Sequence, residues 1–136
     1  MERSNLEFYR NSIDYILSVQ NKDGSIPWEL DEKLDPWDHI EAAMGLSIAG
    51  KKDEAEKAFL WLSDSQQQDG SWYAEYLNSI PMTQRKETNF SAYIGTGLWH
   101  YYLIFKDKDF IENMLPTLSK ALDFVLSMQT ENGDIY

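Results

Sequence analysis

The chain contains no cysteine, which excludes disulfide staples and thiolate metal sites. Histidine is nearly as scarce, with only His39 and His100, far apart in sequence. Positive charge is sparse too: 12 Lys and Arg stand against 23 Asp and Glu, a formal net charge of -11. Such a balance repels nucleic acid and anionic membrane unless a local basic patch exists. The nearest candidate, Arg85-Lys86, is two residues in a polar loop and too small to serve. No apolar run approaches the length of a membrane span, and the opening Met1-Glu2-Arg3-Ser4-Asn5 lacks the apolar core of a signal peptide. The expectation is a cytoplasmic protein with no nucleic-acid partner and no membrane span. At 136 residues the chain fits a single domain, residues 1–136, able to bury roughly two thirds of its unfolded surface.

What is present is a phrase written three times. Gln20-Asn21-Lys22-Asp23-Gly24-Ser25 returns as Gln66-Gln67-Gln68-Asp69-Gly70-Ser71-Trp72 and again as Gln129-Thr130-Glu131-Asn132-Gly133-Asp134. Each copy closes an apolar helical stretch and then places glycine, which takes a positive φ without steric cost. An array of helical hairpins follows. A calcium-loop reading of Asn21–Gly24 fails: counting from glycine puts Val19 and Leu30 at the first and last ligand positions, and the second copy gives Ser65 and Tyr76. The three Gln side chains are expected to bond neighbouring backbone and tie outer helix ends to the next repeat.

Five helical segments are legible. Ser4 to Gln20 has one apolar stripe, carried by Leu6, Phe8, Ile13, Ile16 and Leu17. The second starts at the N-cap candidate Asp35, followed by Pro36, and stops at Gly50. The third opens at Asp53, where an N-cap Asp and Glu56 three residues later form a capping pair. Thr88 to Phe105 is apolar nearly all round. In the fifth, Asp109 to Gln129, Pro116 either starts the main helix or kinks it. Tyr73 to Glu87 reads as a long polar loop. Amphipathic and all-apolar segments thus alternate, so segments two and four form an inner layer and one, three and five an outer one. The small residues Ala42-Ala43, Gly45 and Gly95-Thr96-Gly97 let the inner helices approach closely.

These residues resemble the α/α-toroid proteins: terpenoid cyclases, protein prenyltransferases and the six-hairpin glycosidases. Gln66 to Trp72 matches the repeat at the outer-helix ends of terpenoid cyclases. Asp35-Pro36-Trp37-Asp38-His39-Ile40-Glu41-Ala42-Ala43-Met44, the Asp-Gly-Ser-Trp phrase and Glu87-Thr88-Asn89-Phe90-Ser91-Ala92-Tyr93-Ile94 resemble bacterial proteins commonly labelled prenyltransferase. The resemblance implies an all-α fold, a partial α/α toroid of about five helices. A full ring takes about six hairpins, so the chain reads as the N-terminal portion of a longer toroid, with the rest of that ring as its partner. It departs from the named enzymes in lacking the Asp/Cys/His zinc site, Asp-x-Asp-Asp and Asp-Asp-x-x-Asp. No cofactor and no metal are expected.

In this arrangement the glycine turns deliver the chain to the first turns of the inner helices, which ring one mouth of a central cavity. Trp37, Asp38, His39 and Glu41 lie on one, and Glu87, Thr88 and Asn89 on the other. Asp38 and Glu87 are the candidate carboxylate pair for glycoside hydrolysis, and simple capping is the alternative for Asp38, Glu41 and Glu87. His39 is either a proton carrier near neutral pH or a satisfied structural residue. Trp37, Trp72 and Tyr93, with Glu41 and Asn89, are candidate substrate contacts, although aromatics at helical spacing more often fill cores. His100 is expected in the core. Three functions remain open: a terpenoid-cyclase or prenyltransferase-like enzyme acting on an isoprenoid, a carbohydrate-active six-hairpin enzyme, and a non-catalytic binding or scaffold toroid. The first is the main expectation, and the partner is a small-molecule substrate, isoprenoid or carbohydrate.

Overall fold

The computed structural model describes residues 9–135. Five α-helices occur among them: α1 Arg10–Val19, α2 Pro36–Ile48, α3 Lys52–Ser65, α4 Thr88–Phe105 and α5 Lys108–Ser127. Leu6 and Phe8 of the expected first stripe lie outside the described residues.

The inner helix α2 starts as its sequence dictates. Asp35 has extended backbone, its carboxylate accepts from Asp38 N–H, and Pro36 takes the first helical position, where no amide is needed. It stops at Gly50, whose φ of +73° lets Lys51 N–H return to Leu46 O at 2.9 Å. That turn leads straight into α3, which begins at Lys52, so Asp53 lies inside the first turn and caps nothing with its side chain. The expected Asp53–Glu56 capping pair is therefore replaced by glycine-driven entry. In α5 the cap is Asp107, whose carboxylate accepts from Phe110 N–H, and Pro116 neither starts the element nor ends it.

The layers alternate as expected: an all-α, partial α/α toroid of inner helices α2 and α4 and outer helices α1, α3 and α5. Helix α2 packs on α3 and α4, α4 packs on α5, and α3 lies beside α5. Gly97 is where α4 comes closest, since a Cβ there would stand 2.6 Å from Ile40 Cγ2 and 3.0 Å from Phe59 Cε1. Ile40, Ala43 and Leu46 of α2, Phe59 and Leu62 of α3, and Ile94 and Tyr101 of α4 fill the core between the layers.

The stretch Tyr73 to Glu87 is not a plain loop. Tyr76–Leu77 (β2) and Ile80–Pro81 (β3) form a hairpin, and Lys33–Leu34 (β1) pairs with β2, all antiparallel. Asn78 and Ser79 make the two-residue turn with φ of +49° and +62°, the left-handed pair that a tight hairpin requires. Ser79 accepts from Trp61 Nε1 and donates to Asp23 Oδ2. The hairpin is thus pinned to α3 and to the first glycine turn, on the side where the inner helices begin. It is a rim and not a sheet core. No helix among the described residues is long and apolar enough to cross a membrane.

Candidate active site

The first turns of α2 and α4 meet. The Trp37 ring lies on the Tyr93 ring, centroids 3.8 Å apart and planes within 1°. Glu41, one turn after Trp37, accepts from Trp37 Nε1 at 2.9 Å and from Tyr93 OH at 3.2 Å. One carboxylate therefore locks two aromatics from neighbouring inner helices into a single platform. Burial and the adjacent Glu41 both push the Tyr93 phenol pKa up, so its proton stays on that bond. Their polar edges are occupied and one face of each ring covers the other, so what Trp37 and Tyr93 retain for a ligand is an outer ring face.

Asp38 is exposed beside this platform. Partial burial raises its carboxyl pKa, the charge and hydrogen bonding of Asp35 and the charge of Glu41 raise it further, and a hydrogen bond from Trp28 opposes them in part. Asp35 is buried, with Oδ1 taken by Asp38 N–H at 2.9 Å and Oδ2 by Trp28 Nε1 at 2.9 Å. A fixed carboxylate thus stands under an exposed one, and the exposed one holds its proton to higher pH. Among the described residues no group of three or more His, Asp or Glu side chains is able to hold a metal ion.

The other candidates have partners or surroundings of their own. Glu87 precedes α4 without capping it by its side chain, and its carboxylate pairs with Arg85. The carboxylates acting on Asp38 are Asp35 and Glu41. Asn89 is exposed on the first turn of α4. His39 is fully buried: Nδ1 accepts from Ile26 N–H at 3.1 Å, so Nε2 carries the proton and donates to Ala58 O at 2.8 Å. Burial, opposed in part by that bond, depresses its pKa to about 4. Both ring nitrogens are spent on backbone, and His39 is structural. Trp72 is likewise fully buried, donating to Leu62 O at 2.9 Å; it is core and cannot meet a substrate. His100, expected in the core, is only half-buried, and its Nδ1 has no hydrogen-bond partner. Sequence reasoning saw Asp35 only as a cap and missed Trp28. The signal was the Asp35-x-x-Asp38 spacing, which puts two carboxylates on one helix start.

No family model matches the chain. It is 40% identical over 126 residues to the MMP endo-(1,4)-3-O-methyl-α-D-mannosidase of Mycolicibacterium hassiacum, an alignment covering 93% of this chain and 35% of the relative. The chain thus spans about a third of the length of the curated relative it matches. Its fold is similar to that of the cellobiose 2-epimerase of Bacillus thermoamylovorans, with a TM-score of 0.65 at 16% identity, over 96% of this chain and 38% of that one. Both similar proteins act, by name, on carbohydrates. The comparisons support the likeness to glycosidase toroids and not the likeness to terpenoid cyclases and prenyltransferases, which was the main expectation from the sequence.

Proposed function

We propose that the chain forms part of the wall of a carbohydrate-active, glycosidase-like toroid in which Asp38 protonates the leaving glycosidic oxygen. One observation carries the reading: an exposed carboxyl with raised pKa on an inner helix, beside the stacked Trp37–Tyr93 pair. Glycoside hydrolysis needs a carboxyl that keeps its proton next to a surface that holds the sugar. The Asp38 proton passes to the bridging oxygen as the bond to the anomeric carbon breaks, while a second carboxylate activates water or attacks that carbon. Glu87, at the start of the neighbouring inner helix, is the carboxylate to test in the second role. Asn89 and Glu41 supply polar contacts to sugar hydroxyls.

The substrate this reading favours is a 1,4-linked 3-O-methyl-α-D-mannoside, by similarity to the mannosidase. The uncovered face of α4 suits it, because Asn89, Thr96 and Leu103 recur there at seven-residue spacing, all exposed, and offer both polar and methyl-sized apolar contacts.

The test is release of reducing ends from such oligosaccharides by the polypeptide carrying this chain, with and without Asp38→Asn. The variant should lose turnover of the natural linkage yet keep turnover of an aryl glycoside whose leaving group needs no proton. Turnover surviving both Asp38→Asn and Glu87→Gln would return the chain to the role of a non-catalytic toroid.

A further inference from the structure

The three glycine turns are alike in sequence and unequal in what they touch. Gln20 Nε2 donates to Gly24 O of its own turn and, at 2.9 Å, to Glu54 O of α3. Gln66 Nε2 does the same with Gly70 O and, at 2.8 Å, with Thr117 O of α5. Gln129 reaches Gly133 O at 2.9 Å and no other acceptor among the described residues. The glycines follow suit. A Cβ on Gly24 would stand 2.1 Å from Lys57 O and one on Gly70 2.0 Å from Lys120 O, whereas one on Gly133 would meet only the Gln129 side chain, at 3.8 Å. In both occupied copies the two carbonyls, Glu54 with Lys57 and Thr117 with Lys120, lie three residues apart on the next outer helix of the same chain.

The inner layer repeats the inequality. Helix α4 fills the groove between α2 and α3, its Gly97 against Ile40 and Phe59. The corresponding groove between α4 and α5 is a cavity of about 440 Å³, lined by Leu98, Trp99, Tyr102, Ile111 and Leu118. Next to it on α5, Leu115, Leu122 and Leu126 are exposed, a second apolar stripe besides the one that Met114, Ala121 and Phe124 bury.

We propose that this edge is the docking site of a further α/α hairpin of the same repeat, continuous with this polypeptide. Its outer helix offers two backbone carbonyls three residues apart to the Gln129 amide and the Gly133 turn, and its inner helix fills the groove between α4 and α5. The occupant follows from continuity: each occupied turn takes the next outer helix along the chain, and the chain matches only 35% of its relative. The inference rests on the fold and not on the glycosidase reading, so either can fail alone.

The test compares the 136-residue chain with the gene's full polypeptide. Side-chain amide hydrogen exchange of Gln129 should be fast in the short chain and slow at least tenfold, to the rate of Gln66, in the longer one. Leu122→Asp should lower Tm by more than about 5 °C in the longer form and by less than about 3 °C in the short one, as exposed substitutions do. Equal Gln129 exchange in both forms overturns the proposal, as does a gene ending at Tyr136 that encodes a cooperatively folded monomer. A short-chain dimer seen by light scattering and abolished by Leu122→Asp also overturns it, by making a second copy the occupant.

Discussion

The side-chain amide of Gln66 donates 2.8 Å to the backbone carbonyl of Thr117, 51 residues further on. This bond explains why glutamine and glycine recur together. The amide needs a carbonyl of the next outer helix, and that helix comes within reach only where the turn has no side chain to hold it off. Substituting Gly70 by Ala would add a Cβ 2.0 Å from Lys120 O at a φ of +91°. Left-handed strain of about 1–2 kcal/mol and overpacking of about 1–3 kcal/mol should together cost about 3 kcal/mol. Gly133→Ala has the same φ and no such neighbour, so in this chain it should cost only the strain. Urea denaturation at unchanged slope measures both, and equal losses would refute the packing argument.

His39 makes stability depend on pH. The unfolded imidazole takes a proton near 6.5, whereas the folded one resists it down to about 4. The stabilisation is therefore complete above about pH 6.5 and is lost as pH falls toward 4, by about 3 kcal/mol in total. Asp23 and Asp69 add a loss at lower pH. Burial, which works against them, is outweighed by hydrogen bonds, from Ser25 and Ser79 at Asp23 and from Lys86 and Ser71 at Asp69, so both carboxyls lie below the ordinary value. The expected result is a fall in denaturation midpoint between pH 6.5 and 4 that is flattened in His39→Gln, which should also be weaker at pH 7. A variant with the wild-type slope would show that another group titrates.

The two tryptophans that the sequence places together as substrate contacts should part company on substitution. Trp72→Ala should cost about 3–5 kcal/mol by leaving a cavity and an unpaired Leu62 carbonyl, with ligand affinity following only from unfolding. Trp37→Ala removes an aromatic pair on the open face and should cost about 1 kcal/mol. It should weaken carbohydrate binding in calorimetry while the fold persists. Equal behaviour of the two would place Trp37 in the core as well.

Helix positions were legible because their causes are local. Asp35-Pro36 starts α2, Gly50 ends it, and the apolar run from Thr88 to Phe105 is α4 from end to end. The hairpin at Tyr76–Pro81 was not, since strands of two residues leave no alternation to read and its turn, Asn78-Ser79, carries no glycine. Trp72 was misplaced for a related reason: its phrase names a turn, but whether the ring points out or under Leu62 depends on where α3 passes. Trp37, Glu41 and Tyr93 could be named as candidates one by one, yet their convergence depends on the spacing between α2 and α4, which no local pattern encodes.

Asp38 sits where the fold loses by ionising it. A carboxyl with a raised folded pKa stabilises the protein while protonated, and that contribution fades as pH rises through the folded pKa. Once ionised, Asp38 faces Asp35 and Glu41, so above its folded pKa Asp38→Asn should be neutral or stabilising by less than about 1 kcal/mol, the scale of solvent-screened charge interactions. Its backbone N–H still donates to Asp35, so the helix start survives the change. Loss of turnover without loss of stability is the signature expected of a residue kept for chemistry. A pure capping or structural residue gives the opposite pattern, with Tm falling and any activity following it. Thermal melts over a pH series beside the hydrolysis assay distinguish the two, and the stability gain of Asp38→Asn should grow as pH rises through the raised Asp38 pKa.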